Sequence, residues 1–347
     1  MDILRVSEKL GAIPFPNNEF LNGNFAPPVY LCGRAKQEPK IDGDVFKPFW
    51  DDAPKTVAFR DIEGSCRPAP KFETWAKLLW DEDNLYIGAV LYGSEIWAYV
   101  SGRDDVVFFD NDFEFFLDKK GTTHEYFELE SNALNTLWDL MLTKPYTDGG
   151  TPYDGFNYNG IESAVKICGE LNNPNTENKY WSIEFKIPWK SIARYGSASD
   201  PPKTGDYYRF NFSRVHWQTE VIDSKYVKKI NPETGNPFPE DNWVLAPTGV
   251  VNIHYPELWA FLCFVDDASN ASFKIPEVEK IKWELRKLYY LQREYFEANG
   301  KFSKDIKIES KYEIKIETTT SLFQAYVEKD GLRISIIQDG YTWIEKI

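Results

Sequence analysis

The sequence predicts an all-β sandwich, antiparallel and immunoglobulin- or jelly-roll-like, with a small α+β appendage at the C-terminus. Three observations lead there. Short apolar runs with a two-residue period recur from Val29 to Phe264, separated by turn residues. The clearest lies in residues 74–92, TWAKLLWDEDNLYIGAVLY, where Trp75, Lys77 and Leu79 alternate with Ala76, Leu78 and Trp80. Near Ile275 the period becomes helical. The chain of 347 residues therefore divides into an N-terminal strap (1–28), a sandwich (29–270) and a long helix with a small antiparallel sheet (271–347).

The elements follow in order. Pro14, Pro16, Pro27 and Pro28 mark the strap, which is expected to lie on the main domain. Residues 29–31 read as a short strand and 40–44 (KIDGD) as a turn. Residues 46–53 (FKPFWDDA) read as a helical turn that inserts Phe49 and Trp50 into the core. In the 74–92 hairpin, residues 81–84 (DEDN) supply turn side chains that bond their own backbone. A loop with Arg103 follows at 97–105.

Residues 106–118 (VVFFDNDFEFFLD) place Val107, Phe109, Phe113, Phe115 and Leu117 on one parity, expected to face a core. Phe108, Asp110, Asp112, Glu114 and Phe116 take the other. Residues 119–123 turn the chain, and 124–132 (HEYFELESN) return with Glu128, Glu130 and Asn132 on the polar face. If the hairpin closes near Lys120 and Gly121, Glu114 sits near Glu128 and Asp112 near Glu130. Like charges directly opposite are destabilising, so this face calls for Arg, Lys, a metal ion or a bound polyol. The alternative is a solvated sheet face with splayed carboxylates.

Asn135, Trp138 and Asp139 continue the segment, and residues 146–160 form a Gly-, Tyr- and Asn-rich loop of the kind found at binding rims or in plain connectors. Residues 161–168 and 180–188 are strands, the latter aligning Trp181, Ile183, Phe185 and Ile187. Pro188 stops it, and 189–193 makes a helical turn. Residues 207–217 place Arg209, Asn211 and Ser213 on one face, and Phe210, Phe212 and Arg214 on the other. Residues 243–264 give two short strands around His254.

Pro276, Glu277 and Glu279 open a helix, with Val278, Ile281, Leu285, Leu288 and Tyr295 at helical spacing and Asn299-Gly300 at its end. Strand-like runs follow: Ile306 and Ile308; Tyr312, Ile314 and Ile316; Phe323, Ala325 and Val327; Leu332, Ile334 and Ile336. Asp330-Gly331 and Asp339-Gly340 mark turns.

The net charge of −14 argues against a nucleic-acid or anionic-membrane partner. Residues 276–347 hold 13 Lys plus Arg and 13 Asp plus Glu, so all the net acidity lies in the first 275 residues. No apolar run reaches the roughly 18 residues of a membrane span. The N-terminus, MDILRVSEKLGAIPFP, has no signal-peptide core; a chain whose signal has been removed looks the same, and export to the periplasm, cell surface or exterior is expected in that case. Cys32, Cys66, Cys168 and Cys263 are widely spaced, which disfavours zinc and suggests separate buried thiols, or a disulfide if the protein is exported. Aromatics at 16%, with 12 Trp, are unusually many; a core explains most of them, and an excess of Trp and Tyr also fits a surface that stacks on flat ligands such as sugar rings.

Several stretches resemble family 9 carbohydrate-binding modules and the wider DOMON-like sandwiches: KIDG (40–43) with WDDA (50–53), AKLLWDEDNLYI (76–87), NDFEFFLD (111–118), WSIEFKIPW (181–189) and GDYYRFNFSRV (205–215). The resemblance spans roughly Val29 to Val265 and implies a glycan-binding sandwich, often calcium-containing and often joined to glycoside hydrolases. In the best-known members two tryptophans clamp a terminal sugar, aided by an acid, an arginine and an asparagine. By that resemblance the acid falls on Glu114, the first clamp position near Phe108, the arginine and asparagine near Glu128 and Glu130, and the second clamp near His254. The clamp is thus altered, and Trp138, Trp217 or Trp259 offers another platform. The implied calcium is bound by oxygen ligands, for which Asp81, Asp83, Asp110 and Asp112 are the candidates.

The expected function is therefore non-catalytic binding of an oligo- or polysaccharide, in polysaccharide catabolism beside a partner glycoside hydrolase. The candidate sugar contacts are Arg103, Phe108, Glu114, Glu128, Glu130, Asn132, Asn135, Trp138, Arg214, Trp217 and His254, with no catalytic residue assigned. A glycoside hydrolase pairing Glu114 with Glu128 or Glu130 is the alternative. A haem or interaction sandwich, drawing on His124, His216, His254, Met1 or Met141, is a third.

Overall fold

The computed structural model describes residues 25–192 and 201–347. Most of the expected strap and Ala193 lie outside the described residues. Strands β1 (Val29–Arg34), β2 (Arg60–Asp61), β3 (Thr74–Trp80), β4 (Asn84–Tyr92), β5 (Asp112–Asp118), β6 (Tyr126–Asn132), β7 (Leu137–Leu142) and β8 (Pro152–Tyr153) come first. They are followed by β9 (Glu162–Cys168), β10 (Tyr180–Pro188), β11 (Tyr207–His216), the hairpin β12 (Thr219–Ile222) and β13 (Lys225–Lys228), β14 (Asp241–Val244) and β15 (Ala260–Phe264). The strand order is β8-β7-β6-β5-β11-β15-β1-β3-β4-β10-β9, with β14 joining β11 to β2.

Strand β1 turns this path into a sandwich. Its residues Val29 to Cys32 run parallel to β15, and Gly33 and Arg34 run parallel to β3. One strand thus belongs to both layers, and its two pairings are parallel in an otherwise antiparallel framework. Between the layers, Ala76, Leu78, Ile87, Ala89, Ile183 and Phe185 pack on Phe113, Phe115, Leu117, Leu129, Phe210, Phe212 and Leu262. Alternation explains the partition: the other parity of β3 and β4, with Trp75, Leu79, Tyr86 and Val90, forms a second cluster with Val45 and Trp50 on the outer face. The 46–53 segment therefore covers the outside of a sheet and does not enter the central core. Phe49 is only half-buried there.

Glu184 fixes that cover. Its fully buried carboxylate accepts from the Asp42 N–H at 3.0 Å, the Gly43 N–H at 2.8 Å, Lys47 Nζ at 2.8 Å and Trp50 Nε1 at 2.7 Å. Gly43 is required: its φ is +81°, and a Cβ there would meet the Lys166 nitrogen at 2.5 Å. Gly88 is required for a different reason, because a Cβ would stand 2.9 Å from the Trp50 ring.

The β5–β6 hairpin differs from expectation. Asp118 accepts hydrogen bonds from the N–H groups of Lys120, Gly121 and Thr123 at 3.1, 2.8 and 2.8 Å. This stretches the connection to residues 119–125, with Thr123 and Glu125 at positive φ. The register moves by two residues, so Glu114 opposes Glu130, Asp112 opposes Asn132 and Phe116 opposes Glu128. A shift of two leaves every side chain on its predicted face. Residues 107–109 form a 3₁₀ turn instead of strand, which leaves Phe109 54% exposed and out of the core.

The C-terminal segment packs directly on the sandwich. Helix α1 (Glu277–Asn299) ends at Gly300, whose φ is +66° and whose N–H bonds the Phe296 carbonyl at 2.7 Å. Ile281, Trp283, Leu285, Leu288, Tyr289 and Tyr290 share one cluster with Leu258, Phe261 and Cys263 of the sandwich. The same cluster takes in Phe323, Ala325, Val327, Ile334 and Ile336. Those residues belong to a four-stranded sheet of β16 (Lys315–Thr318), β17 (Phe323–Lys329), β18 (Leu332–Ile337) and β19 (Thr342–Lys346). Ile306 and Ile308 pack against it without forming a strand. All four cysteines are free, Cys66 exposed and Cys168 half-buried, so neither a disulfide nor uniform burial holds.

Replacing Glu184 with alanine leaves two buried N–H groups, an ammonium and an indole without an acceptor. Chemical denaturation of Glu184→Ala is expected to show a loss of roughly 3 to 5 kcal/mol, the usual cost of breaking a buried charge pair from one side.

Candidate functional site

The outward face of β5, β6, β7 and β11 is ordered in rows by the strand register. One row carries Ser213, Glu114, Glu130 and Trp138; the next carries Asn211, Phe116, Glu128 and Leu140. A cleft of about 420 Å³ opens over these rows, lined by Glu114, Glu128, Glu130, Phe108, Trp138, Tyr146 and His254 together with Glu240, Asn242 and Asn252. That volume falls within the range of small-ligand sites.

Three carboxylates, those of Glu114, Glu128 and Glu130, line its floor, and Asp112 completes the acidic group beside them. Asp112, Glu114, Glu128 and Glu130 are all buried. Glu114 and Glu130 occupy directly opposed positions, and their carboxylates do not splay apart: an oxygen of each lies within 4.8 Å of the other. Asp112 Oδ1 accepts from the Val215 N–H at 3.2 Å, whereas Asp112 Oδ2, Glu128 Oε2 and Glu130 Oε2 accept no hydrogen bond from any described donor. Burial pushes the Glu114 carboxyl up to about 7, with a hydrogen bond from Ser213 opposing and Glu240 adding to the rise. Burial and then repulsion from Glu114 push Glu128 up to about 8. Asp112 and Glu130 are raised well above the carboxylate range by burial and by their acidic neighbours. The floor is a set of strong acceptors short of donors.

Aromatic groups bound the floor at two ends. Phe108, on the 3₁₀ turn Val107–Phe109, packs on Trp138 with ring centroids 6.2 Å apart. Trp217 supports this wall from behind, donating through Nε1 to the Phe108 carbonyl at 2.8 Å. At the other end His254 stands edge-on to Phe116 and Tyr146, with centroids 5.9 and 4.7 Å away, and its Nδ1 lies 2.9 Å from the Tyr126 hydroxyl. Trp259 is fully buried beneath this wall, bonding the Ile253 carbonyl at 2.8 Å, and presents no platform.

Helix α1 anchors the second wall. Arg293 bonds Asp148 Oδ1 at 2.5 Å and the Thr147 carbonyl at 2.9 Å, gripping the 3₁₀ turn Tyr146–Asp148 that carries Tyr146. Tyr290 donates to the Glu257 carboxylate, and Trp283 Nε1 donates to the Glu257 carbonyl at 2.9 Å, three residues past His254. The appended helix thus sets the position of two cleft side chains that it does not itself touch.

The structure brings together Phe108, Glu114, Glu128, Glu130, Trp138 and His254 of the predicted contacts. The others lie elsewhere. Asn132 holds a turn, accepting from the N–H groups of Leu134 and Thr136 at 3.0 and 3.1 Å and donating to Val100 and Asp110. Asn135 occupies a left-handed turn position (φ 61°) and donates to the Ser163 carbonyl. Arg103 pairs with Asp139 at 2.6 Å. Arg214 is buried away from the cleft, donating to Thr74 and to the Tyr92 carbonyl at 3.0 and 2.8 Å. Trp217 is a support behind Phe108.

Of the proposed metal ligands, only Asp112 belongs to the acidic floor. Asp81 is occupied by the N–H groups of Asp83 and Asn84 and the Tyr86 hydroxyl, and exposed Asp83 lies in the same turn. Asp110 Oδ2 accepts from the N–H groups of Tyr99 and Val100 and from Asn132. Asp81 and Asp110 thus commit carboxylate oxygens to the protein's own donors. Glu240, Asn242 and Asn252 were not foreseen. The parity of Asn242 against Trp243 was the one available signal, since Asn242 pairs with Val215 on the outward face. His124, His216 and His254 occupy three separate environments, against Tyr341, between Phe72 and Trp243, and on Tyr126.

Burial lowers His254 to about 4 from its ordinary 6.5. The unfolded chain therefore takes up this proton before the folded one does. The stabilisation is complete above about pH 6.5 and is lost as pH falls toward about 4, by roughly 2 to 3 kcal/mol. Denaturation at pH 7.5 and 4.5 is expected to show the wild type losing about 2 to 3 kcal/mol relative to His254→Gln; the raised Glu114 and Glu128 carboxyls gain stability over the same range in both proteins and cancel in that difference.

Comparison with solved structures returns related sandwiches at low identity. A family 9 carbohydrate-binding module from Caldicellulosiruptor kristjanssonii in complex with cellotriose shares 16% identity, covering 72% of this chain and 99% of its own, at a TM-score of 0.42. A module of that family from the same organism, in complex with glucose, shares 15% over 71% of this chain and all of its own, at 0.41. A candidate carbohydrate-binding protein from Bacteroides uniformis shares 14% over 69% of this chain and all of its own, at 0.48. No curated protein sequence matches the chain. The family model that does match, over residues 41–213, is that of the carbohydrate family 9 binding domain-like proteins, and the sandwich of this chain belongs to that family.

Proposed function

We propose that the protein binds carbohydrate, without cleaving it, in the acidic cleft between Phe108–Trp138 and His254–Tyr146. The observation that carries this reading is the floor: buried carboxylate oxygens that accept no hydrogen bond, in a cleft of ligand size with aromatic walls. Sugar hydroxyls are the complementary chemistry. Each is a donor, several lie on one edge of a pyranose, and the CH-rich ring faces suit aromatic side chains. The family model supports the same class, and the modules of that family from Caldicellulosiruptor kristjanssonii were solved with cellotriose and glucose.

The carboxylates are arranged for binding more than for hydrolysis. Oxygens of Asp112, Glu114 and Glu130 lie within 4.8 Å of one another on one surface. Glycosidases instead set their two carboxyls on either side of the scissile bond. Action beside a glycoside hydrolase in polysaccharide breakdown, and export to reach such a substrate, extend this proposal from the habits of the family.

A glycan array followed by calorimetry tests the reading. Glu114→Ala and Trp138→Ala are expected to weaken binding at least tenfold each, about 1.4 kcal/mol or more, while exposed Asp83→Ala leaves it unchanged. Absence of binding to any glycan, or full binding by both cleft variants, contradicts it.

A further inference from the structure

We infer that Asp112, Glu114 and Glu130 hold a divalent, oxygen-preferring cation of the Ca²⁺ class on the cleft floor, with coordination positions left open toward the cleft. Their three ligand atoms lie within 4.8 Å of one another. Two oxygens bound to one Ca²⁺ at about 2.4 Å stand at most about 4.8 Å apart, and the three floor atoms meet that limit. The donor set is entirely carboxylate, which suits a hard cation better than zinc or copper, whose protein sites draw on His and Cys.

A second observation is the state of the oxygens themselves. Asp112 is fully buried and Glu130 is 2% exposed, yet Asp112 Oδ2 and Glu130 Oε2 accept no hydrogen bond from any described donor. Among the described residues, no lysine or arginine forms an ion pair with any of the three, and the largest charge effects on Asp112 and Glu130 come from acidic neighbours. Asp81 and Asp110, by contrast, have their carboxylates filled by backbone and side-chain donors. Of the acidic groups along this stretch, the floor set has both the spacing and the free oxygens.

Three carboxylates supply three to six of the six to eight oxygens that Ca²⁺ takes. Glu114 and Glu130 line the cleft, so the remaining positions face its interior. Two neighbouring hydroxyls of a saccharide would complete the shell there. This last step rests on the carbohydrate-binding reading; the cation site itself does not.

The test separates the two. Full-length protein stripped with EDTA is titrated calorimetrically with CaCl₂ alone. One Ca²⁺ per chain is expected, with affinity at least tenfold weaker in Asp112→Asn and in Glu130→Gln and unchanged in Asp83→Asn. Ca²⁺ should also raise the melting temperature of the wild type and not that of Glu130→Gln, a readout that shows the variant folded. No Ca²⁺ binding by the wild type, or equal binding by the floor variants, overturns the site. A glycan found on the array is then titrated with and without Ca²⁺. Binding lost on chelation supports coordination by hydroxyls. Binding that survives chelation but is lost in Glu114→Ala overturns that coordination and leaves carbohydrate binding standing. Ca²⁺ binding with no glycan bound in either condition supports the cation site and overturns the carbohydrate reading.

Discussion

The desolvation of Asp112, Glu114, Glu128 and Glu130 is the constraint around which this molecule is arranged. Placing four acidic groups on one sheet face, with no ion pair to any of them among the described residues, costs stability that packing elsewhere must offset. The rest of the sandwich supplies that packing. Aromatic and aliphatic side chains fill the space between the layers, and β1 ties the two layers together by pairing with both. A sheet face so unfavourable on its own has a simple rationale as a receiving surface, since a ligand that brings donors or positive charge recovers part of the cost.

The contrast between the two outer faces sharpens the point. On the β4–β10 side, Glu184 is buried as deeply as any floor carboxylate, but four donors converge on it and the surrounding segment closes over it. On the β5–β6 side the acids are as buried but lack such donors, and the cover stops short. The C-terminal helix reaches only the rim, where Arg293 and Tyr290 hold the segments that carry Tyr146 and His254. Glu184 serves the fold; the floor carboxylates are those the proposed ligand would meet.

Much of this was legible in the sequence. Alternation in residues 106–118 and 124–132 placed Glu114, Glu128 and Glu130 on one face, and parity survives an error of two residues in register. The register itself was not legible, because Asp118 gathers three backbone N–H groups and lengthens the turn, a local competition that residue type alone does not decide. Asn132, Asn135 and Arg214 misled for a related reason: side chains suited to bind a sugar are equally suited to satisfy the backbone, and here the backbone claims them first. Glu240 and Asn252 reach the cleft from loops more than a hundred residues away in sequence, where no periodicity connects them to the floor.

The central claim is that this acidic floor is a ligand site and not an inert feature of the sheet. A crystal structure of the protein grown with an oligosaccharide found by array, in calcium-containing buffer, tests it most directly. The account predicts ligand density between Phe108–Trp138 and His254–Tyr146, with hydroxyl groups meeting the floor carboxylates directly or through a cation. Density on another surface, with the cleft holding only ordered water, would contradict it.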